Sequence, residues 1–132
     1  LLEDGSAEID GRMLPHEWLY SEGRYVKTDA LDHHADQFFP KRQDIAWDLA
    51  GAAIEFGFDR ARTGFLLDRY SQLANDRVAA QKFRLYSICY AAYRLGYSAL
   101  AQESIPDTAD GRMFGELKRH YAGLLKGLLE SI

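Results

Sequence analysis

Two short apolar runs near the start of the chain flank a turn signal, and together they predict a β-hairpin. Both runs lie within the segment from Trp18 to Lys27, and Ser21-Glu22-Gly23 separates them. Glycine is favoured in tight hairpin turns because it adopts positive φ angles without a steric cost. We therefore predict two antiparallel strands at about residues 17–28.

The open end of this hairpin carries polar side chains that could support chemistry. In an antiparallel pair, the start of the first strand lies beside the end of the second. This register brings His16, Glu17 and Asp29 to one end of the hairpin, with Asp10 within reach. Carboxylates gathered at a strand end suit a divalent cation or a proton-transfer step.

The remainder of the chain, from about residue 42 onward, has the apolar periodicity of helices. Four helices are predicted: one that stops at Gly57, one capped by Asp59, a long one after Asp76, and one at about 109–130. Residues 1–15 and the acidic stretch 29–40 are predicted to be loops. The expected fold class is therefore mainly α with a small β-hairpin.

The long third helix has two apolar faces. One is an aromatic stripe that repeats at helical spacing: Phe83, Tyr86, Tyr90, Tyr93 and Tyr97. The other face is aliphatic: Leu85, Ile88, Ala92, Leu95 and Ala99. A helix that is apolar on two sides is expected at the centre of a bundle. Cys89 lies among these residues, so we predict that it belongs to the core and is not a nucleophile.

Size and composition narrow the class of protein. The chain has 132 residues, of which 47% are hydrophobic, and this predicts a single domain with a real core, divided into residues 1–40 and a helical part at 41–132. The net charge is −4 and the Lys and Arg residues are scattered, so nucleic acid is not the expected partner. No apolar run reaches the roughly 18 residues of a membrane span. The single cysteine fits a reducing, cytoplasmic location.

Each candidate residue also has a purely structural interpretation. Asp10 is either a general base or part of an Asp-Gly turn. His16 and Glu17 either bind a metal or substrate, or form a polar pair that enters a strand. Asp48 adjoins an apolar helical face, so it is either a surface acid or an anchor for the loop near Asp10, because a part-buried carboxylate needs donors.

The acidic loop offers a second group of candidate metal ligands. Asp29 sits at a strand end, a position that often carries function. The residues that follow it include further oxygen and imidazole ligands: Asp32, His33, His34 and Asp36. Such a mixture suits Zn, Mn or Fe, whereas carboxylates alone suit Mg. The alternative for His33, His34 and Asp36 is a solvated loop, and the spacing favours that interpretation.

The order of these parts resembles the C-terminal lobe of the aminoglycoside phosphotransferase and choline kinase group, which has a protein-kinase-like fold. That family runs roughly His-Gly-Asp-x-x-x-x-Asn, hairpin, Ile-Asp-Trp, loop, Asp-Leu-Ala. Three segments of this chain are similar to those elements: Glu8-Ile9-Asp10, Val26-Lys27-Thr28-Asp29 and Trp47-Asp48-Leu49-Ala50. The long helices that follow are similar to the helical subdomain of the family.

The resemblance implies the helical C-terminal lobe of a kinase-like α+β fold, which transfers the γ-phosphate of ATP to a hydroxyl of a small metabolite or antibiotic. It implies that Asp10 accepts the proton of the substrate hydroxyl and that Asp29 holds Mg²⁺ against the ATP phosphates. It also implies that Asp48 braces the catalytic loop through backbone hydrogen bonds.

The chain also departs from the family pattern. Pro15 stands where the family has its metal-binding Asn, and His16 can replace that ligand only if the loop holds one extra residue. Glu8 replaces the family's His. The chain begins at Leu1 and not at Met, and it contains no Gly-rich loop with a neighbouring Lys. We therefore expect a piece of a larger protein that is inactive without its N-terminal lobe and that could self-associate through the surface this lobe would cover.

Two alternatives remain from the residues alone. The chain could belong to a non-catalytic relative that keeps the fold for binding or scaffolding, which the Pro15 departure favours. It could also be a helical metal-binding domain that uses the histidines of the acidic loop. Calorimetry with Mg-ATP separates the first alternative from a phosphotransferase, and elemental analysis tests the second.

Overall fold

Helices make up most of the protein, and short strands occupy its N-terminal part. The computed structural model describes residues 6–28 and 42–131. The strands are β1 (Ser6–Glu8), β2 (Trp18–Ser21), β3 (Arg24–Lys27) and β4 (Arg42–Asp44), with a 3₁₀ turn at Pro15–Glu17. The helices are α1 (Ala46–Glu55), α2 (Arg60–Ala74), α3 (Val78–Ser104) and α4 (Ala109–Glu130). The predicted class, mainly α with a small β-hairpin, is confirmed.

The hairpin consists of β2 and β3 in an antiparallel register. Ser21 pairs with Arg24, which leaves Glu22 and Gly23 as a two-residue turn with φ angles of 52° and 79°. Two successive positive φ angles characterise the type I′ turn, whose twist matches that of the flanking strands. At the other end Trp18 pairs with Lys27, and the Trp18 ring packs edge-on against Phe56 at the end of α1.

A second ladder corrects the predicted loop at 1–15 and the predicted helical character from residue 42. Strand β1 pairs with β4 in an antiparallel register, from Ser6 opposite Asp44 to Glu8 opposite Arg42. Strands of three residues are too short to display an alternating apolar pattern, so the sequence gives no periodic signal for them. Their pairing brings the residues just after β1 beside the start of α1.

The helix ends follow the capping rules. Asp59 precedes α2 and its carboxylate accepts the Arg62 N–H at 2.8 Å, as predicted. Thr108 precedes α4 and its hydroxyl accepts the Gly111 N–H at 2.9 Å. Each cap satisfies one of the N–H groups that a helix leaves without an internal partner.

Contacts within the chain define two compact units, one that ends at Tyr86 and one that begins at Ser87. In the first unit the core is built on α1, where Ala46, Leu49 and Ala50 are buried, and on Ile9 just after β1. In the second unit Tyr90 of α3 and Tyr121 of α4 are almost fully buried.

The apolar faces predicted for α3 are only partly correct. Tyr90 is buried, but Tyr97 and Leu85 are exposed, and so is Cys89, which corrects its assignment to the core. Small and polar side chains fill much of the buried face in the second unit instead: Ser87, Ala91, Arg94 and Ser98. Small residues let helices approach closely, and the Arg94 Nε donates to the Tyr121 hydroxyl at 3.1 Å, so a search for large apolar residues misses this face.

Two glycines of α4 give a matched test of this packing. A Cβ at Gly111 would lie against the backbone carbonyl of Ile105, whereas a Cβ at Gly123 would meet no atom within 4 Å. We expect Gly111→Ala to lower the free energy of unfolding by at least about 1 kcal/mol through overpacking. Gly123→Ala should raise it by about 0.5–1 kcal/mol, because alanine favours the helix. Denaturant titration measures both, and a stabilised Gly111→Ala variant would contradict the tight approach.

Candidate functional site

The segment between β1 and the 3₁₀ turn is held by one buried carboxylate of α1. The Asp10 N–H donates to Asp48 Oδ2 at 2.8 Å, and the Gly11 N–H donates to Asp48 Oδ1 at 2.9 Å. Asp48 is only 5% exposed, so both bonds form away from water. A carboxylate that receives two backbone N–H groups fixes the path of the segment it binds. We call residues 9–12 the Asp10 loop.

Neighbouring groups complete the fixation of this loop. The Trp47 indole N–H donates to the Gly11 carbonyl at 3.0 Å, so two successive residues of α1 contact the same turn. Gly11 has a φ of 82°, which a residue with a Cβ adopts only under strain. The Asp-Gly pair is therefore a turn, and the same turn presents the Asp10 side chain.

The Asp10 carboxylate points toward the open end of the hairpin. Its Oδ1 accepts the Arg12 N–H at 3.1 Å, and its Oδ2 lies 2.8 Å from the Lys27 ammonium at the end of β3. Asp10 is 8% exposed and the Lys27 side chain 9%. Both carboxylate oxygens are thus oriented by contacts from the chain itself.

Glu17 completes the cluster from the end of the 3₁₀ turn. Its Oε2 lies 2.9 Å from the Lys27 ammonium, and its carbonyl accepts the N–H and the hydroxyl of Thr28 at 2.9 and 3.0 Å. The hairpin ladder therefore continues one step beyond Lys27. We call Asp10, Glu17, Lys27 and Asp48 the carboxylate cluster.

The electrostatics of the cluster follow from burial and from charge. Burial lowers the pKa of Lys27, but the hydrogen bonds and the negative charges of Asp10 and Glu17 outweigh it, so its pKa lies above the ordinary 10.5. Burial raises the pKa of Asp48 above the ordinary 3.8, although its two backbone hydrogen bonds act in the opposite direction. The Asp10 and Glu17 carboxylates thus share the Lys27 ammonium, whereas both oxygens of Asp48 are taken by backbone N–H groups.

The start of α1, and hence Asp48, is positioned by a second ion pair. Asp44 Oδ1 accepts the Ala46 N–H at 3.0 Å, and Asp44 Oδ2 lies 2.6 Å from the Lys82 ammonium near the start of α3. The hydrogen bond to Asp44 raises the pKa of Lys82, and burial only partly offsets this. Asp44 therefore connects β4, the first turn of α1 and α3.

The structure brings Asp10 and Asp48 together, but it does not place every predicted site residue beside them. His16 lies on the 3₁₀ turn with its side chain exposed to solvent. Asp29, the predicted metal ligand, lies outside the described residues, and the same holds for Asp32, His33, His34 and Asp36. Within residues 6–28 and 42–131, no group of three or more His, Cys, Asp or Glu residues is arranged to hold a metal ion.

Sequence reasoning missed Lys27 and underrated Glu17. The sequence pattern accounts for Lys27 only as a member of the strand before Asp29, and for Glu17 either as a metal or substrate contact or as half of a polar pair that enters a strand. The ladder register gives no signal for this contact, because Lys27 pairs with Trp18 and successive strand residues point to opposite faces of the sheet. Glu17 reaches Lys27 because it lies on the 3₁₀ turn, outside the alternation of the strand.

Comparison with known proteins adds no relative to this description. No family model matches the chain, and no curated protein or solved structure matches it. None of the helices described here is long and apolar enough to cross a membrane.

Proposed function

We propose that this chain is the C-terminal lobe of a small-molecule phosphotransferase-like protein that uses Mg-ATP and a hydroxyl acceptor. The observation that carries the proposal is the pair of hydrogen bonds from the Asp10 and Gly11 N–H groups to the Asp48 carboxylate. They support the assignment of Asp48 as the brace of a loop that presents Asp10. This is the geometry expected if the resemblance to the kinase-like family reflects kinship.

In this proposal Asp10 accepts the proton of the acceptor hydroxyl. A general base must be held within hydrogen-bond reach of the proton it removes. The Asp10 loop supplies that rigidity, because the backbone is fixed by Asp48 and one carboxylate oxygen by the Arg12 N–H. The Lys27 ammonium, which also pairs with Glu17, lies beside the second oxygen at the end of the hairpin, and Asp29 follows there in the sequence.

The chemistry of the donor set is compatible with magnesium. Mg²⁺ prefers carboxylate oxygens, which Asp29 would supply, whereas the carboxylates of the cluster are held by Lys27 and by backbone N–H groups. Asp29 is the proposed ligand, with His16 as the residue that would take the place of the missing Asn. When bound, the metal would neutralise charge on the phosphates. The described residues contribute the orientation of Asp10 and the local negative charge.

The test replaces Asp29 by asparagine in the full-length protein. We expect phosphoryl transfer from Mg-ATP, to water or to a panel of hydroxyl compounds, to fall by at least about 100-fold, because a charge-stabilising ligand is lost. The melting temperature should change little. Asp68→Asn, which alters an exposed carboxylate of α2, is the matched control and should retain turnover. Undiminished turnover in Asp29→Asn would reject the assignment.

A non-catalytic kinase-like scaffold is the second candidate, and one contact favours it. The Lys27 ammonium already occupies Asp10 Oδ2 at 2.8 Å, the oxygen that a substrate hydroxyl would need. Together with Pro15 in the position of the family's Asn, this contact fits a site that no longer turns over. Calorimetric titration of Mg-ATP into the full-length protein discriminates between the two candidates, because the absence of heat supports the scaffold.

A further inference from the structure

An open apolar groove of about 690 Å³ lies along α2. Leu49 of α1 and Phe58 contribute to its lining, and the remainder comes from α2. The residues that line it include two arginines, Arg62 and Arg69, and no carboxylate. The groove is therefore an apolar surface to which the side chains of two arginines contribute.

Helix α2 contains no buried residue and exposes two large apolar side chains. Among its fifteen residues, Phe65 and Leu73 are 72% and 71% exposed. Burial of an aromatic or leucine side chain stabilises a protein, and these two side chains stay in water instead. Contiguous apolar patches of this kind mark interaction surfaces.

The spacing of the groove residues on α2 indicates the shape of what covers them. Arg62, Leu66, Arg69 and Leu73 follow one another at intervals of four, three and four residues. That interval is the seam spacing by which one helix packs along another. An amphipathic helix presents its apolar side chains at the same intervals and fits such a groove.

The two arginines indicate the charge of that helix. Within the described residues, neither the Arg62 nor the Arg69 guanidinium has an ion-pair partner. They lie seven positions apart, which is about 10.5 Å along a helix. Covering them with an uncharged partner would remove two charges from water without compensation. Carboxylates two turns apart on the partner would compensate both.

A second copy of this chain is a poorer occupant of the groove. Packing groove against groove would bring four guanidinium groups together, and the lining residues include no carboxylate to balance them. Like charges brought together in this way disfavour that pairing. The charge pattern therefore selects a different, acidic surface.

We propose that the α2 groove is the docking site for an amphipathic helix of a partner protein, with carboxylates spaced two turns apart along its apolar seam. Phe65, Leu66 and Leu73 take up the apolar side chains of that helix. Arg62 and Arg69 form ion pairs with its carboxylates, which set its direction and register. The proposal does not depend on the phosphotransferase assignment.

A helix-display selection tests the proposal on the full chain. The library presents helices of about 20 residues with a fixed apolar seam, in which the flanking positions are randomised among Glu, Gln and Lys. We expect selected helices to carry Glu at two positions seven apart and to bind at least about tenfold more tightly than their Lys counterparts. Selected helices without a charge preference, or an empty selection, would overturn the proposal.

Two variants separate the groove from other surfaces. Phe65→Ser with Leu73→Ser should abolish binding without unfolding the protein, because both side chains are exposed; circular dichroism checks the fold. Arg62→Glu with Arg69→Glu should invert the preference from Glu to Lys helices, a gain that a misfolded variant cannot show. Retained Glu preference in the charge-reversed protein would contradict the ion pairs. Sedimentation that shows a dimer dissociated by the Phe65 and Leu73 changes would identify a second copy as occupant and overturn the proposal.

Discussion

Replacing Asp48 by alanine is expected to lower the free energy of unfolding by about 3 kcal/mol, measured by denaturant titration. The change leaves the Asp10 and Gly11 N–H groups buried without their acceptor, and each such group costs about 1–3 kcal/mol. Relief from burying the carboxylate offsets part of this loss. The free energy of unfolding of Asp48→Asn should lie between those of the wild type and of Asp48→Ala. Its amide oxygen can accept one of the two N–H groups, while its NH₂ group faces the other.

The pH dependence of stability gives this prediction its control. The raised pKa means that folded Asp48 binds a proton more tightly than the unfolded chain does. Between the ordinary value of 3.8 and the higher folded-state value, the contribution of Asp48 to the free energy of unfolding therefore falls as the pH rises. Asp48→Asn should lack this component, and Asp68→Asn should keep it. Equal stability of the wild type and Asp48→Ala would show that the Asp10 loop does not need its brace.

Replacing Lys27 by methionine is expected to lower the free energy of unfolding by about 2 kcal/mol. Methionine keeps most of the length of the apolar stem but removes the ammonium that lies between Asp10 and Glu17, so two nearly buried carboxylates lose a shared partner. Adding Glu17→Gln should recover part of the loss, since only one carboxylate is then left without that partner. Thermal and denaturant unfolding of the single and double variants provide the cycle.

An exposed lysine supplies the matched control for Lys27. Lys126 lies 3.7 Å from Glu130 on the surface of α4, and both side chains are largely in water. Lys126→Met should change the free energy of unfolding by no more than about 0.5 kcal/mol, because exposed pairs contribute little. A similar decrease in the free energy of unfolding for both variants would mean that the buried ion pairs of Lys27 stabilise the protein no more than the exposed pair of Lys126 does.

The parts of the fold that sequence reasoning predicted are those with a periodic or turn-specific signal. The hairpin was visible because Glu22-Gly23 favours a tight turn between apolar runs, and α2 was visible because Asp59 caps it. Strands β1 and β4 were not visible, because three residues hold less than two periods of any pattern. Their partners lie far apart in the chain, and short-range preferences carry no information about that pairing.

The candidate site was predictable only where chemistry and position agreed. The sequence indicates a role for Asp48, because a carboxylate beside an apolar face needs hydrogen-bond donors. No local pattern indicates that Asp10 supplies one of those donors. The sequence does not predict Lys27 as a site residue, because a lysine at a strand end is ordinarily solvated. The burial of Lys27 depends on the packing of the 3₁₀ turn beside it. Cys89 was misassigned because its apolar neighbours on α3 face outward as well as inward.

The bond between Asp48 and the Asp10 loop joins residues 38 positions apart, so the loop cannot hold its shape until α1 has docked. Fraying of the first turn of α1 would release both N–H groups at once, and the two segments therefore open as one cooperative unit. Any ligand that recognises only the ordered loop would shift that local equilibrium and slow amide hydrogen exchange in the helix. Binding of a ligand at the hairpin end would thus be detected as slower amide hydrogen exchange in α1, a helix that the ligand does not contact.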